Sequence, residues 1–398
     1  MENTMPVEVE IALAPERLDE GPPEERACFG LFTIRAGAAD LTGGLDFFIS
    51  AYRSGPLISG YHAAEWLAWN WWRLRYEPRS MAAEWWRAHR MTAIGEGYVW
   101  PNLTIFSDGI RTTLLAEPSA RPDAKPFRYL GAHPCVVPSS EFESAVDAFL
   151  PRVLARLHDQ GVAETNLDRI WSDILSERLA PDQSRRRRLE ALLGRDPDAI
   201  VDGAVDGLLT DAAFLGAQAV EELAADRGGG SKMLTAADLQ SLAASRSGID
   251  ASPRDAVRLS SDEPRAPGAE APAWRLGAQA AQALRAQLDL REEPITDAIL
   301  AELVGTRKAA LAQRASSQTL SFALDGDHNL SRIVLRSRWP TGRRFELARL
   351  MAERIVTPLR DERLYAATRA YTYRQKMQRS FAAEMLSPFA AVDVMLDG

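Results

Sequence analysis

The chain has 398 residues and a formal net charge of −8, with 46% hydrophobic and 26% charged residues. That balance excludes wholesale disorder and collagen-like repeats, and no run approaches the roughly 18 consecutive apolar residues of a membrane span. Two cysteines, Cys28 and Cys135, are too few for a disulfide framework or a cysteine zinc site.

The opening Met1-Glu2-Asn3-Thr4 is polar and acidic, without the basic region and apolar core of a secretory signal. A cytoplasmic, multidomain α+β protein is expected. Residues 1–160 read as a mixed α+β domain. Strand-like runs cover 7–13 and 28–34, and the runs 102–106 and 110–115 flank Ser107-Asp108-Gly109, a strong hairpin signal. A helix is predicted over 61–75, with Trp66, Trp69 and Trp72 at helical spacing. Seven of the ten tryptophans lie between Trp66 and Trp100. Such density suits a large core or interface better than a ligand platform, because Trp joins great buried area to one polar handle.

A long helix over 141–160, kinked at Pro151, completes that domain. A helical module is then predicted over 161–227, with helices at 166–179 and 183–194. The run Arg185–Arg188 reads as a solvated face that could also touch phosphate. Asp196-Pro197 reads as the cap and first turn of a further helix, and apolar residues from 200 to 223 keep a period near 3.6. The stretch 228–272, rich in Ser, Asp, Pro and Ala, is expected to be a flexible linker, with one helical patch at 234–242. A last domain spans 273–398. Its predicted elements are helices at 276–288 and 295–303, a hairpin of 320–323 with 333–336, and helices at 343–355 and 361–386, the last open to interruption.

The charge is unevenly spread. From Arg332 to Arg379 there are 13 Arg and Lys against four acids, so this segment carries +9 and the remainder −17. A basic end on an acidic body suits a nucleic-acid or acidic-partner face. With four Lys against 43 Arg, composition explains the choice of Arg but not the clustering.

The last domain has a recognisable order: an amphipathic helix, Pro294-Ile295-Thr296-Asp297 leading into a helix, and a hairpin. Then follow Arg343-Arg344-Phe345-Glu346-Leu347-Ala348-Arg349 and Ser380-Phe381-Ala382-Ala383-Glu384-Met385-Leu386-Ser387-Pro388. Over residues 274–390 this resembles the ImmA/IrrE family of zinc metallopeptidases. In that family an RRFTLAHELGH helix carries the metal motif, and a later helix ending in E-x-x-AN-x-FAA-x-LLMP supplies the third ligand. The resemblance implies a zincin-like domain that has lost its chemistry. HExxH sets two imidazoles one turn apart toward Zn²⁺, with the intervening Glu activating water. Here the first His falls on Arg349, the Glu on Leu350 and the second His on Glu353. Arginine has no acceptor for zinc, and leucine takes no proton from water. The third-ligand region, Arg374 to Arg379, has no carboxylate, and Met377 stands at the degenerate position. A pair between Arg349 and Glu353, one turn apart, would add roughly 0.2–0.5 kcal/mol. No metal or cofactor is expected.

No other catalytic signature stands out. The histidines, at 62, 89, 133, 158 and 328, are too scattered to share one helix as ligands, and there is no phosphate loop or G-x-S-x-G elbow. Cys28 and Cys135 lack an identifiable base. Three functional readings follow. The first is a non-catalytic regulator or scaffold whose degenerate peptidase groove holds a protein partner; by analogy with the family it serves mobile-element control or defence. The second is a nucleic-acid binder using Arg336, Arg338, Arg343, Arg344, Arg349, Arg374, Lys376, Arg379, Tyr371 and Tyr373. The third is an enzyme with its site in the Trp-rich domain, where Glu84 and Glu96 are among the carboxylates near the Trp cluster that could serve as acid or base.

Overall fold

The computed structural model describes residues 7–121, 125–199, 203–228, 230, 233–260, 271–290, 293–311, 319–356 and 362–397. The chain divides into two compact units, Met1–Ala199 and Ile200–Gly398. Both mix helices with small antiparallel sheets. Among the described residues no helix is long and apolar enough to cross a membrane.

In the first unit, strands Val9–Pro15 and Phe29–Ala36 pair antiparallel, with Ile11 opposite Ile34 and Leu13 opposite Phe32. Alternation sends Ile11, Phe32 and Ile34 into the core. The expected hairpin forms from Leu103–Ser107 and Arg111–Ala116. Asp108 Oδ1 accepts from the Ile110 and Arg111 amides at 3.2 and 2.8 Å, while Gly109 takes φ +98°, a turn that few other residues adopt.

The helix expected over 61–75 is broken in two, Gly60–Trp69 and Trp71–Tyr76. Asn70 ends the first by donating from its side-chain amide to Trp66 O at 2.9 Å, competing with the helical backbone. The break turns Trp71 and Trp72 edge to face, 4.7 Å apart. Trp66, Trp71, Trp72, Trp85 and Trp100 are buried and Trp69 is exposed, so most of the cluster is core. Helix Ser139–Asp159 runs through Pro151 and buries Phe149, Leu150 and Val153 against the same core.

Helices Asn166–Leu179 and Pro181–Leu192 fall in the first unit, whereas the sequence suggested a separate module from 161 to 227. Leu167, Trp171 and Ile174 join the first core, and Trp72 Nε1 donates to Glu177 at 2.8 Å. The arginine run helps close this packing. Arg187 pairs with Glu177, Glu190 and Asp198, and Arg188 lies over the Tyr76 ring at 4.8 Å. Asp196-Pro197 opens no helix. Asp196 accepts from Arg73 Nη1 at 3.1 Å, Asp198 adopts φ 58°, and the next helix among the described residues is Ala204–Leu215.

The second unit holds a four-stranded antiparallel sheet in the spatial order Ile249–Ala251, Ser331–Val334, Ser321–Asp325, Leu364–Ala367. Its first strand comes from the stretch expected to be a flexible linker. That stretch also forms helix Ala236–Ala244, opened by a Thr235–Asp238 capping box. Leu239, Ile249 and Leu259 are buried, so three well-spaced apolar anchors order a segment whose average composition is polar. Of the expected linker, residues 229, 231–232 and 261–270 lie outside the described residues. The helix expected over 361–386 is replaced by strand Leu364–Ala367 and helix Tyr373–Leu386, and residue 361 lies outside the described residues. The Leu-Tyr-Ala-Ala run, which local propensity does not favour as a strand, is drawn into the sheet by pairing with Ser321–Asp325.

Helix Ala273–Gln287 packs closely on Tyr373–Leu386. Gly277 allows that approach, since a Cβ there would lie 2.3 Å from Met377 O and 2.8 Å from Phe381 N. Gly277→Ala is therefore expected to destabilise the second unit by about 1–3 kcal/mol, read as a lowered urea midpoint at unchanged m. An unchanged midpoint would mean that the helices separate at little cost.

Candidate functional site

Helix Pro340–Val356 turns an unusual face inward. Arg343, Glu346, Arg349 and Glu353 follow one another at spacings of 3, 3 and 4 and are all buried. Such spacing puts them on one stripe. A stripe of alternating charge ordinarily faces water. Here Arg349 and Glu353 meet helix Tyr373–Leu386, whose buried residues include Gln375, Met377 and Gln378, while Glu346 pairs with Arg336.

Arg349, 4% exposed, donates through Nη2 to Thr368 O at 2.7 Å and to Gln375 Oε1. Gln375 Oε1 also accepts from the Thr368 amide at 2.9 Å, and its Nε2 donates to Ala366 O at 3.0 Å. Glu353, 2% exposed, pairs through Oε1 with Arg374 Nε and accepts at Oε2 from Gln378 Nε2 at 2.5 Å. The expected one-turn pair of Arg349 with Glu353 does not form: each partners helix Tyr373–Leu386 and the turn before it. Met377 is buried but packs its backbone against Gly277, so Gln375, two residues earlier, is the residue of that segment that meets Arg349.

A third element closes the cluster. From helix Ala217–Gly228, Glu222 Oε2 accepts from Thr372 Oγ1 at 2.9 Å, and Asp226 Oδ1 accepts from the Arg369 amide at 2.7 Å. Burial pushes the Glu222 carboxyl up to about 7, against the opposing pull of Arg374. Burial likewise raises Glu353, again against Arg374. In Arg374 itself, burial opposes the charge, but Glu353 and Glu222 outweigh it and its pKa rises. Burial, then the like charges of Arg379 and Arg336, lowers that of Arg349, whose guanidinium still keeps its proton near neutrality.

The other cations proposed as a face are mostly turned inward or paired. Arg336 bridges Glu346 at 3.1 Å, and Arg344 pairs with Asp297 and donates to Ile295 O. Arg343 is buried and Lys376 half-buried. Tyr373 is buried and donates to Ala271 O at 2.8 Å. Arg379 donates to Ala370 O at 2.8 Å and lies over the Tyr371 ring at 5.6 Å. Of the ten residues proposed as contacts, only Arg338 and Tyr371 are exposed. Among the described residues, the cations of this segment are thus mostly turned inward or paired.

In the first unit, Cys28 is sealed in the core with its thiol directed at Val153 O, and burial pushes its pKa up to about 11. Burial raises Cys135 as well. Neither is an activated nucleophile. Glu84 pairs with Arg87 at the surface, and Glu96 is exposed in a turn. Two groupings of that unit escaped the sequence reading. His89 is held between Ile105 O at 2.7 Å and Glu77 at 2.9 Å, and Glu77 is also bound by Arg73 at 2.7 Å. Glu25 accepts from Tyr98 at 2.6 Å and faces His62 Nε2 at 3.1 Å. Apart from Arg73 and Glu77, one turn apart, both join residues distant in sequence, so no spacing signal announced the groupings.

Among the described residues no group of three or more His, Cys, Asp or Glu is arranged to hold a metal ion. No family model, curated protein or solved structure matches the chain.

Proposed function

We infer that the chain is a non-catalytic regulatory or scaffold protein, and that residues 273–398 form an ImmA/IrrE-like peptidase frame whose metal centre has given way to a network of side-chain pairs. The observation that carries this reading is the meeting of Arg349 and Glu353, at the positions of the two histidines, with Gln375, Gln378 and Arg374 from the segment that would bring the third ligand. Two helices bring these residues together, and the groups that meet are two guanidiniums, a carboxylate and two amides. A guanidinium offers no lone pair to a metal, and Leu350 at the general-base position is buried and apolar.

The role left to such a frame is binding a partner protein, in mobile-element control or defence by analogy with the family. The sheet edges bear on how a partner docks. Leu364–Ala367 is packed against helix Ala217–Gly228, and the opposite edge strand, Ile249–Ala251, is only three residues long. Docking through side-chain surfaces therefore fits better than addition of a strand. Two measurements test the reading. Protein dialysed against a weak chelator should carry well under one zinc per chain by elemental mass spectrometry; a ratio near one overturns the degenerate-centre reading. A tagged chain drawn from its native host should bring down a stoichiometric protein that survives nuclease. Recovery of nucleic acid alone, lost at high salt, overturns the scaffold reading.

A further inference from the structure

Helix Ala217–Gly228 is fastened at three points, and a carboxyl group acts at each. Glu362 accepts from the Gln218 and Ala219 amides at 2.9 and 3.0 Å, Glu222 from Thr372 Oγ1 at 2.9 Å, and Asp226 from the Arg369 amide at 2.7 Å. The apolar side chains it buries are mostly small: Ala219, Ala224 and Ala225 beside Val220 and Leu223. Glycines of positive φ stand at both ends, Gly216 at +106° and Gly230 at +98°, and such residues readily absorb a hinge rotation. A helix held by little apolar area between two glycines belongs to the less stable part of a fold.

Glu222 is the fastener that responds to protons. The neighbouring buried Glu353 has Arg374 as a direct ion-pair partner, whereas Glu222 has the neutral Thr372 hydroxyl. Burial without a contacting cation favours the neutral carboxyl. The charged groups that face Glu222 are Glu353 and Arg349 from helix Pro340–Val356 and Arg374 and Arg379 from helix Tyr373–Leu386. Glu221 and Asp226 lie on its own helix, and Glu362 stands at the start of that helix. Helix Ala204–Leu215, packed alongside, turns Asp206 to solvent and binds the Ala236 amide with Asp211, and strand Leu364–Ala367 brings only Tyr365. Burial outweighs the pull of Arg374, and the Glu222 carboxyl is pushed up to about 7.

We propose that helix Ala217–Gly228 is a proton-controlled strap on the turn before helix Tyr373–Leu386: it stays down while Glu222 is protonated and lifts about its glycine ends once Glu222 ionises. Lifting it bares Thr372 and the Arg369 amide, so the second unit presents one surface below neutrality and another above. This goes beyond the scaffold reading and does not depend on it, since it rests on the packing of this helix alone. A carboxyl raised in the closed form holds the strap most firmly below its ordinary value of 4.5, and the hold is lost as pH rises through 7.

Amide hydrogen exchange on the full chain, corrected for intrinsic rates, tests this. Between pH 5 and 8 the protection of amides 221–226 should fall about fiftyfold or more, most of it below pH 7. These amides should exchange ahead of those of helix Tyr373–Leu386 and with a smaller urea dependence, because the strap opens without the rest of the unit. Glu222→Gln keeps the shape of the side chain and should make the protection constant over this range. Exchange of both helices at equal protection and equal urea dependence overturns the strap, since the helix then opens only with the whole unit. Protection of 221–226 that ignores pH in the wild type, or that still follows pH in folded Glu222→Gln, overturns the role of Glu222. The wild-type measurements decide the matter even if Glu222→Gln does not fold.

Discussion

Replacing Arg374 with methionine is expected to destabilise the second unit by about 3–5 kcal/mol. Glu353 is 2% exposed, and Arg374 is the ion-pair partner of its Oε1. Without the guanidinium the carboxylate stays buried beside the Gln378 amide and loses the counter-charge of Arg374. The loss is large because a buried charge is deprived of its ion-pair partner, not because the pair contributes that much net stability. The companion variant separates the two effects. Arg374→Met with Glu353→Leu removes both charges and should recover most of the deficit, as apolar replacement of buried pairs often does. Urea unfolding of the three proteins reads the result. Equal losses in single and double variants would show that the site depends on the shape of Arg374 and not on its charge.

The second large effect concerns pH. The Glu222 carboxyl is pushed up to about 7 from an ordinary value of 4.5, so the folded chain keeps a proton that the unfolded chain releases. The stability owed to this protonated group is full below pH 4.5 and is lost as pH rises through 7. A shift of this size corresponds to about 3 kcal/mol across that window. Glu222→Gln keeps the hydrogen-bonding shape without the titration. Its stability relative to the wild type should therefore rise by about 3 kcal/mol between pH 4.5 and 7 and level off above. Denaturant midpoints at half-unit pH steps measure this. Parallel curves would mean that Glu222 is solvated in solution and that helix Ala217–Gly228 does not seal the cluster.

These effects lie in a cluster that the sequence announced only in part. That Arg349, Leu350 and Glu353 share one helix was legible in the predicted helix over 343–355. What those residues touch was not legible. The one-turn rule predicted Arg349 with Glu353, but an i,i+4 pair in water is a weak bond, and across a buried interface stronger partners displace it. Glu222 could not be found at all, because it reaches Thr372 from 150 residues earlier in the chain. The basic face misled for a related reason. Counting charges along a segment assumes that they point outward, and nothing in the count reports the acids on facing elements.

Local pattern did determine much of this protein. The Asp-Gly hairpin, helix Asn166–Leu179, the hairpin of Ser321–Asp325 with Ser331–Val334 and helix Pro340–Val356 all follow from period, turn residues and caps, which act over a few residues. Tertiary structure decided the break at Asn70, the recruitment of Ile249–Ala251 into the sheet, the division at Ala199 and the inward turn of a charged helix face. Each of these depends on which distant surface is available to bury an apolar anchor or to match a charge. Periodicity says that a face exists, and only the packed chain says what it faces.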